Sequence, residues 1–577
     1  FLALSGFEGI LMRFQLAAPG SLHGMEAVLN TIRPVEHEPT SAELFYSMLT
    51  AHPIVGIYGF AYMCVMGAFY FLVPFLLGRE IRHKRLVPVN FWLQIIGVLT
   101  CWSAGFFALF NALYTLYWPL PVAYDRVPLA GSIIYSLGLL LIEANVLLFA
   151  FNLFSTVLSK SNPRSYSFGQ FLSSAFGISR LLRWLGLKKK EDEFEPIYNE
   201  LPVFLVAVGR GSIDTVINAI VLLTAAVLIL AYGLPALLAD VRLDPLAVDP
   251  LVYKNWFWWG LDMVADGNVL MYTAGVWYLL VPLLVGRKLY GEKVVRTVIL
   301  ADLLVSMFVW SHHLLGDRPQ PFVLRLLSGQ FVTWGEFFTM GLTIFASLMT
   351  IWLARPVKFS PALKFVLGSI FGFVMGGAAG LIQANVGLNL IFHNTQWVVS
   401  LHAHTFLLTG LGTLIFAVIY ALLPMLTKLE IRSQKLVDFH FWAWMIGSVT
   451  MTYFMGRAGA LGMLRRTLYP VPNPYQPYMN HRYHRLHHYG AGVPGLPGER
   501  HQHAGAEGGA GAGPAGALAG EAGRRHSGGR RGLTSRNELP RGIPAGVFIC
   551  PGRRAGRPRN PAEPPAPAGR VPRRHCL

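Results

Sequence analysis

The chain has 577 residues, 53% hydrophobic, 13% aromatic and only 14% charged, with a formal net charge of +18. That balance is too apolar for a soluble protein of this size, so the bilayer is the expected solvent. Most of the positive charge sits at one end: from His481 onward sixteen arginines face five glutamates, which is +11 of the +18.

A helix crossing hydrocarbon needs about 20 largely apolar residues. In chain order such stretches predict the remnant of a span before Gln15, then spans over 46–78, 88–118, 132–158, 213–239, 256–285, 296–315, 331–353, 363–382, 397–426 and 437–463. The expected fold is all-α, a polytopic membrane helix bundle of about 11–12 transmembrane helices. The chain opens on Phe1 inside an apolar stretch with no initiating Met, and it is read as lacking its true N-terminus. A membrane domain is expected over 1–470. Residues 481–577 are Gly, Ala, Pro and Arg with no Lys, and two readings stand beside each other: a basic disordered tail, or a frame-shifted translation replacing one more helix. Neither gives the tail chemistry, and no nucleic-acid partner is expected.

The connections alternate in charge. Arg79, Arg82, Lys84 and Arg85 follow the second span, and Lys188 to Lys190 follow the fourth. Arg287, Lys288, Lys293 and Arg296 follow the sixth, Arg355, Lys358 and Lys364 the eighth, and Lys428, Arg432 and Lys435 the tenth. The intervening connections are nearly neutral or acidic, so the basic set is expected on the cytoplasmic side of a cell inner membrane. Cys64, Cys101, Cys550 and Cys576 fall in no CxxC spacing, which argues against a disulfide framework or a thiolate metal centre.

Ionisable groups inside a span are costly and functional by default. Five histidines are so placed, His52, His312, His313, His402 and His404, and the predicted topology sets all of them about 5 to 12 Å below the outer surface at 1.5 Å per residue. Five imidazoles at one depth on three spans point to metal or haem ligation rather than packing. At about 100° per residue, His402 and His404 diverge by about 200° and face two different cofactors, whereas His312 and His313 reach one metal. Glu143, Asp302 and Glu336 are candidate proton-path groups, with helix-bridging polar contacts as the equal alternative.

The segment His393-Asn394-Thr395-Gln396-Trp397-Val398-Val399-Ser400-Leu401-His402-Ala403-His404 resembles the tenth-helix signature of the haem-copper oxidase superfamily, subunit I. The paired His312-His313, the His on the second span and the stretch Gly9 to Leu16 are also similar to that family. The resemblance implies that His52 and His404 ligate a low-spin haem. His402 would ligate a high-spin haem facing a metal held by His312 and His313. His393 lies outside the span, where a hydrogen bond to a haem propionate and a plain capping role are both open.

The sixth span departs from the oxidase pattern. Where oxidases resemble Trp-Trp-x-Gly-His-Pro-x-x-Tyr, this chain reads Trp258-Trp259-Gly260-Leu261-Asp262-Met263-Val264-Ala265-Asp266. Asp262 takes the His slot and Asp266 the Tyr slot, and Ser306 stands at the tyrosine position of the other subclass. Two carboxylates four residues apart share a helical face; they line a hydrated vestibule, or Asp262 joins His312 and His313 as a metal ligand and Asp266 donates protons. Two imidazoles and a carboxylate suit non-haem iron better than copper. The expected function is therefore a respiratory terminal reductase leaning to nitric oxide reduction, with a cytochrome c or quinol oxidase as the alternative and a metal-ion transporter as the reading from another class. Implied partners are two haems, lipid, an electron donor (cytochrome c, a cupredoxin or quinol) and a second membrane-anchored subunit, since no copper-pair motif occurs in the chain.

Overall fold

A computed structural model of the chain describes residues 1–32, 40–158, 182, 185–187, 201–310, 312–317, 320–469 and 473–479. The tail expected over 481–577 lies outside the described residues, as do Cys550, Cys576 and Lys188 to Lys190.

Eleven long helices follow one another in the chain. They are α1 (Leu2–Ala17), α2 (Ser41–Leu77), α3 (Leu86–Ala108), α4 (Leu129–Val157), α5 (Val203–Ala239), α6 (Pro250–Val285), α7 (Glu292–Ser306), α8 (Phe322–Leu353), α9 (Pro361–Ala384), α10 (Val398–Thr427) and α11 (Gln434–Ala460). Eight of them, α2 to α6 and α8 to α10, are long and apolar enough to cross a membrane. The all-α fold follows from the solvent: in hydrocarbon each backbone N–H and C=O must be satisfied within the segment, which a helix does by itself. Among the described residues the only β pairing is an isolated bridge between Thr395 and Leu464. Helix starts are written locally. Thr40 and Glu43 form a reciprocal capping box at α2, and Asp249, Ser360 and Ser433 accept hydrogen bonds from first-turn amides of α6, α9 and α11.

Four spans contain a wide π-helical stretch: Val55–Tyr62 in α2, Ala265–Met271 in α6, Leu326–Phe331 in α8 and Val398–Gly412 in α10. Such turns are uncommon and gather at functional sites. Here one follows His52 and Pro53, one holds Asp266, one precedes Thr333 and Glu336, and one holds both His402 and His404.

Several boundaries differ from expectation, among them the starts of α2, α6 and α8, which lie five to nine residues earlier, and three differ for a definite physical reason. Hydropathy carries the third span to 118, but α3 ends at Ala108; Leu109, Leu113 and Leu116 take left-handed φ of 52°, 66° and 45°. Residues 109–118 are apolar because several pack inward, Leu109, Leu116 and Trp118 being buried, not because they face lipid. The fifth span is expected from 213, but α5 starts at Val203, because Arg210 and Asp214 pair within the helix and so remain inside it. The seventh is expected to 315, but α7 ends at Ser306. Phe308 and Val309 close tighter turns on Val305 and Ser306, and His312–Leu314 forms a separate 3₁₀ turn.

Candidate functional site

A cavity of about 1070 Å³ opens between α1, α2, α6, α8, α9 and α10, at the upper end of the range for small-molecule sites. His52, His402 and His404 line it, as do His312 and His313 from the turn beyond α7, together with Asp262, Asp266 and Glu336.

His52 and His404 face each other across the cavity with ring centres 6.2 Å apart and planes 16° from parallel. A metal bonded to one nitrogen of each ring at about 2.0 Å, plus the two half-rings, spans about 6 Å. The other ring nitrogen of each is already engaged. His52 Nδ1 donates to the Ser5 carbonyl at 2.9 Å, and His404 Nδ1 donates to the Val399 carbonyl at 2.7 Å, five residues earlier along the π-helical stretch. An imidazole whose Nδ1–H is held by a carbonyl offers a fixed, neutral Nε2 lone pair, the usual support of a metal-ligating histidine.

His402 is held in the same way: its Nδ1 donates to the Gly376 carbonyl of α9 at 2.9 Å. Its ring packs against Gly380, where an added Cβ would come within 3.0 Å of Cε1. Gly380→Ala is therefore expected to push the His402 ring by a few tenths of an ångström; where His402 holds the high-spin haem that the resemblance implies, that haem's spectrum shifts while the low-spin bands stay in place, which optical spectra of the purified variant measure.

The metal-side residues are close but differently disposed. His312 and His313 rings meet edge to face, 4.8 Å between centres. The Thr333 hydroxyl donates to the Gly329 carbonyl, so it accepts from His312 Nδ1, 2.5 Å away, leaving Nε2 of His312 free. His313 Nε2 lies 2.8 Å from Asp262 Oδ1, and its ring packs on Trp258 at 4.4 Å. Among the described residues no three His, Cys, Asp or Glu side chains converge on one point. The donor set has the chemistry of a metal site, and for one ion to bridge it the contact between His313 and Asp262 must open. The angular argument for a chelate on one helix does not carry over, because the pair sits on a 3₁₀ turn beyond α7.

Asp262 and Asp266 are both buried, and both line the cavity although the π-helical stretch starts between them. Oδ2 of each has no hydrogen-bond partner among the described residues. His393 ends a short helix, Val386–Phe392, as its C-cap, so the backbone position of a cap is present. Its Nε2 accepts from Arg465 at 3.0 Å. Burial, then the adjacent Arg465 charge, hold this imidazole well below its ordinary value, and burial brings the Arg465 guanidinium down to about 10. At neutral pH the pair is a neutral acceptor facing a cationic donor.

Ser5, Arg13, Arg465 and Arg466 complete the cavity wall. Ser5 fixes His52. Arg13 lines the cavity with its Nη1 buried and unpartnered among the described residues, close enough for its charge to act on His404. Arg465 and Arg466 line the cavity side by side, Arg466 donating to the Tyr114 hydroxyl at 2.9 Å. Two guanidiniums, and a third with one nitrogen unpartnered among the described residues, are suited to binding carboxylates. For the arginine pair a signal is present: Arg465 and Arg466 follow the last span, on the side where the charge alternation leaves connections neutral.

A family model described as cytochrome C and quinol oxidase polypeptide I matches residues 1–490. Cytochrome c oxidase polypeptide 1 of Halobacterium salinarum is 24% identical over 442 residues, 75% of this chain and 66% of its own length. Cytochrome c oxidase subunit 1 of Synechocystis sp. is 25% identical over 435 residues, 74% of this chain and 71% of its own. Quinol oxidase subunit 1 of Bacillus subtilis is 25% identical over 472 residues, 81% of this chain and 64% of its own. The chain thus spans about two thirds of the length of these relatives. Among solved structures, a cryo-EM structure of a heme-copper terminal oxidase dimer superposes with a TM-score of 0.58 at 20% identity, covering 83% of this chain and 79% of that one.

Proposed function

The chain belongs to the family of cytochrome c and quinol oxidase polypeptide I, within the haem-copper oxidase superfamily, and from that premise we propose that it is the catalytic subunit of a membrane-bound terminal reductase that leans to coupling two NO molecules into N2O. The family is one of oxidoreductases, which leaves the metal-ion transporter without support. The observation that carries the proposal is the set of locked histidines around one cavity, with a carboxylate where an oxidase has its sixth-helix histidine. His52 and His404 would hold a low-spin haem, His402 a high-spin haem, and His312, His313 and Asp262 a non-haem metal, iron rather than copper on the hardness of the donor set. When bound, such groups supply one-electron transfer and a site where a diatomic molecule is reduced.

The chain's own residues do the rest. Ser5, Val399 and Gly376 fix the tautomer and orientation of the three haem-side imidazoles at the cavity wall. Arg465 and Arg466 supply fixed positive charge at one edge, Arg13 at another. Asp266, buried on the cavity wall with a free carboxyl oxygen, holds a proton for the product oxygen. Two NO, two electrons and two protons give N2O and water, so the step needs no tyrosine donor. No tyrosine is in hydrogen-bond or ring contact with His312 or His313 among the described residues.

A second reading, reduction of O2 to water, is favoured by the relatives, whose names specify cytochrome c and quinol oxidases. Their two donor types are also the ones proposed here, together with a cupredoxin, a second membrane-anchored subunit and a place in the cell inner membrane. The test is consumption of NO and of O2 by the purified protein with one common reductant. NO reduction well above O2 reduction is expected, and the reverse order would restore the oxygen reductase. In the same assay Asp266→Ala is expected to keep every metal and slow proton-coupled turnover by about 10²–10⁴-fold.

A further inference from the structure

The two histidines on the metal side do not stand on a long helix. Beyond α7 the chain runs through the 3₁₀ turn His312–Leu314 to Asp317, whose backbone N–H closes on the Leu314 carbonyl at 3.0 Å. So short a turn has few hydrogen bonds of its own, and its neighbours hold it in place. From α8, the Thr333 hydroxyl accepts from His312 Nδ1, and the buried Arg325 donates to the Leu315 carbonyl at 3.1 Å. His313 and Asp317 are held by α6.

Helix α6 meets the turn with one stripe of side chains. Lys254, Trp258 and Asp262 are spaced by four in its α-helical part and share a face. Each touches the turn or its continuation. Lys254 Nζ lies 2.5 Å from Asp317 Oδ2, the Trp258 ring packs on His313 with centres 4.4 Å apart, and Asp262 Oδ1 lies 2.8 Å from His313 Nε2. Tyr117, between α3 and α4, touches two members of the stripe. Its ring centre is 4.7 Å from the Lys254 ammonium, an attractive cation–π distance, and its hydroxyl accepts from Trp258 Nε1 at 3.1 Å.

The three contacts differ in what they do when an ion binds. His313 Nε2 cannot bond a metal and Asp262 together, so that contact opens. Trp258 packing has no fixed direction. The Lys254–Asp317 pair is then the polar tie left between α6 and the turn among the described residues. Its side chains are 26% and 27% exposed, which shields the pair more than an open surface pair and still leaves it within reach of salt.

We infer that Lys254 is a positioning residue of the metal site: its ion pair with Asp317 docks the His312–His313 turn on α6 and keeps His313 beside Asp262 when the contact between them opens to admit the ion. This rests on the reading of His312, His313 and Asp262 as ligands. Lys254 touches no ligand atom; it acts through Asp317, four residues beyond His313, and Tyr117 orients it. Undocking the turn weakens the hold on the third metal and leaves the haem side alone, because His52 lies on α2 and His402 and His404 on α10.

The test uses the full chain with its haems and reads how fast a chelator strips the non-haem metal. Lys254→Met and Asp317→Asn are each expected to speed that loss by about 10-fold or more, the size of a lost supporting contact at a metal site, with haem content unchanged. Of the two, the variant that keeps its haems decides. Lys254→Arg retains both the charge and the aromatic contact, and is expected to release the metal slowly. In the unaltered chain release is expected to quicken as salt rises, and Lys254→Met is expected to lose that dependence, having no pair left to screen. Release from Lys254→Met as slow and as salt-dependent as from the unaltered chain, or release from Lys254→Arg as fast as from Lys254→Met, would overturn the inference. An unaltered chain that holds two haems and no further metal would instead overturn the ligand reading on which it rests.

Discussion

His404→Ala is expected to abolish the low-spin haem spectrum while the high-spin component remains, and His402→Ala is expected to do the reverse. The two residues are only two apart, yet their ring nitrogens are anchored on different elements: His404 on Val399 of its own helix, His402 on Gly376 of α9. The partner of His404 is His52 on α2, 6.2 Å across the cavity. A six-coordinate haem deprived of one of two imidazoles loses its low-spin character outright, a larger effect than the 10–100-fold typical of a lost supporting hydrogen bond. Ser5→Ala, by contrast, keeps the carbonyl that holds His52, since the Ser5 carbonyl and not only the hydroxyl is within reach of Nδ1. Optical and electron paramagnetic resonance spectra of the two His→Ala variants measure the outcome. Loss of the same component in both would mean that α10 serves one cofactor and not two.

The second large effect is expected at Asp262. Its carboxylate lies 2.8 Å from His313 Nε2, and α6 itself carries no histidine. Asp262→Ala leaves two imidazoles, too few to retain a tightly bound non-haem metal, and removes the polar contact that holds His313 to α6 beside its Trp258 packing. The non-haem metal is expected to be lost while both haems stay, and NO reduction is expected to fall to background. Asp262→His is the informative companion: three imidazoles favour copper, so this variant is expected to take copper where the unaltered chain takes iron. Retention of the non-haem metal in Asp262→Ala, measured against haem content, would move Asp262 out of the ligand set and into the vestibule.

The histidines are legible in the sequence because a polar ring inside an apolar run of about twenty residues is too costly to serve packing alone, and because the positions of loop charges give their depth. The structure brings His52, His312, His313, His402 and His404 to one cavity. What sequence periodicity hides is the shape of the helices around them. The π-helical stretches in α2, α6, α8 and α10 keep the apolar composition of an ordinary span, so nothing in hydropathy marks them. Residues 109–118 read as membrane helix because inward-packed loops and lipid-facing helices are equally apolar; only the left-handed φ of Leu109, Leu113 and Leu116 separates the two. Arg210 and Asp214 escape notice for the opposite reason. Two opposite charges one turn apart lower local hydropathy as a loop does, yet in the helix they neutralise each other and are buried. Asp302 stands out as an isolated acid, but its partner Arg210 lies more than ninety residues upstream, beyond any local pattern.

The central claim concerns which metals these donors select: imidazoles for two haems, and two imidazoles with a hard carboxylate for the third metal. Metal analysis of the purified, full chain against haem and protein measures it directly. About three irons per chain, two of them extracted as haem, and no copper is the expected result for that donor set. Two irons, both haem, with one copper would contradict it and return the protein to the oxygen reductases, with Asp262 hydrogen-bonded beside the metal rather than bound to it.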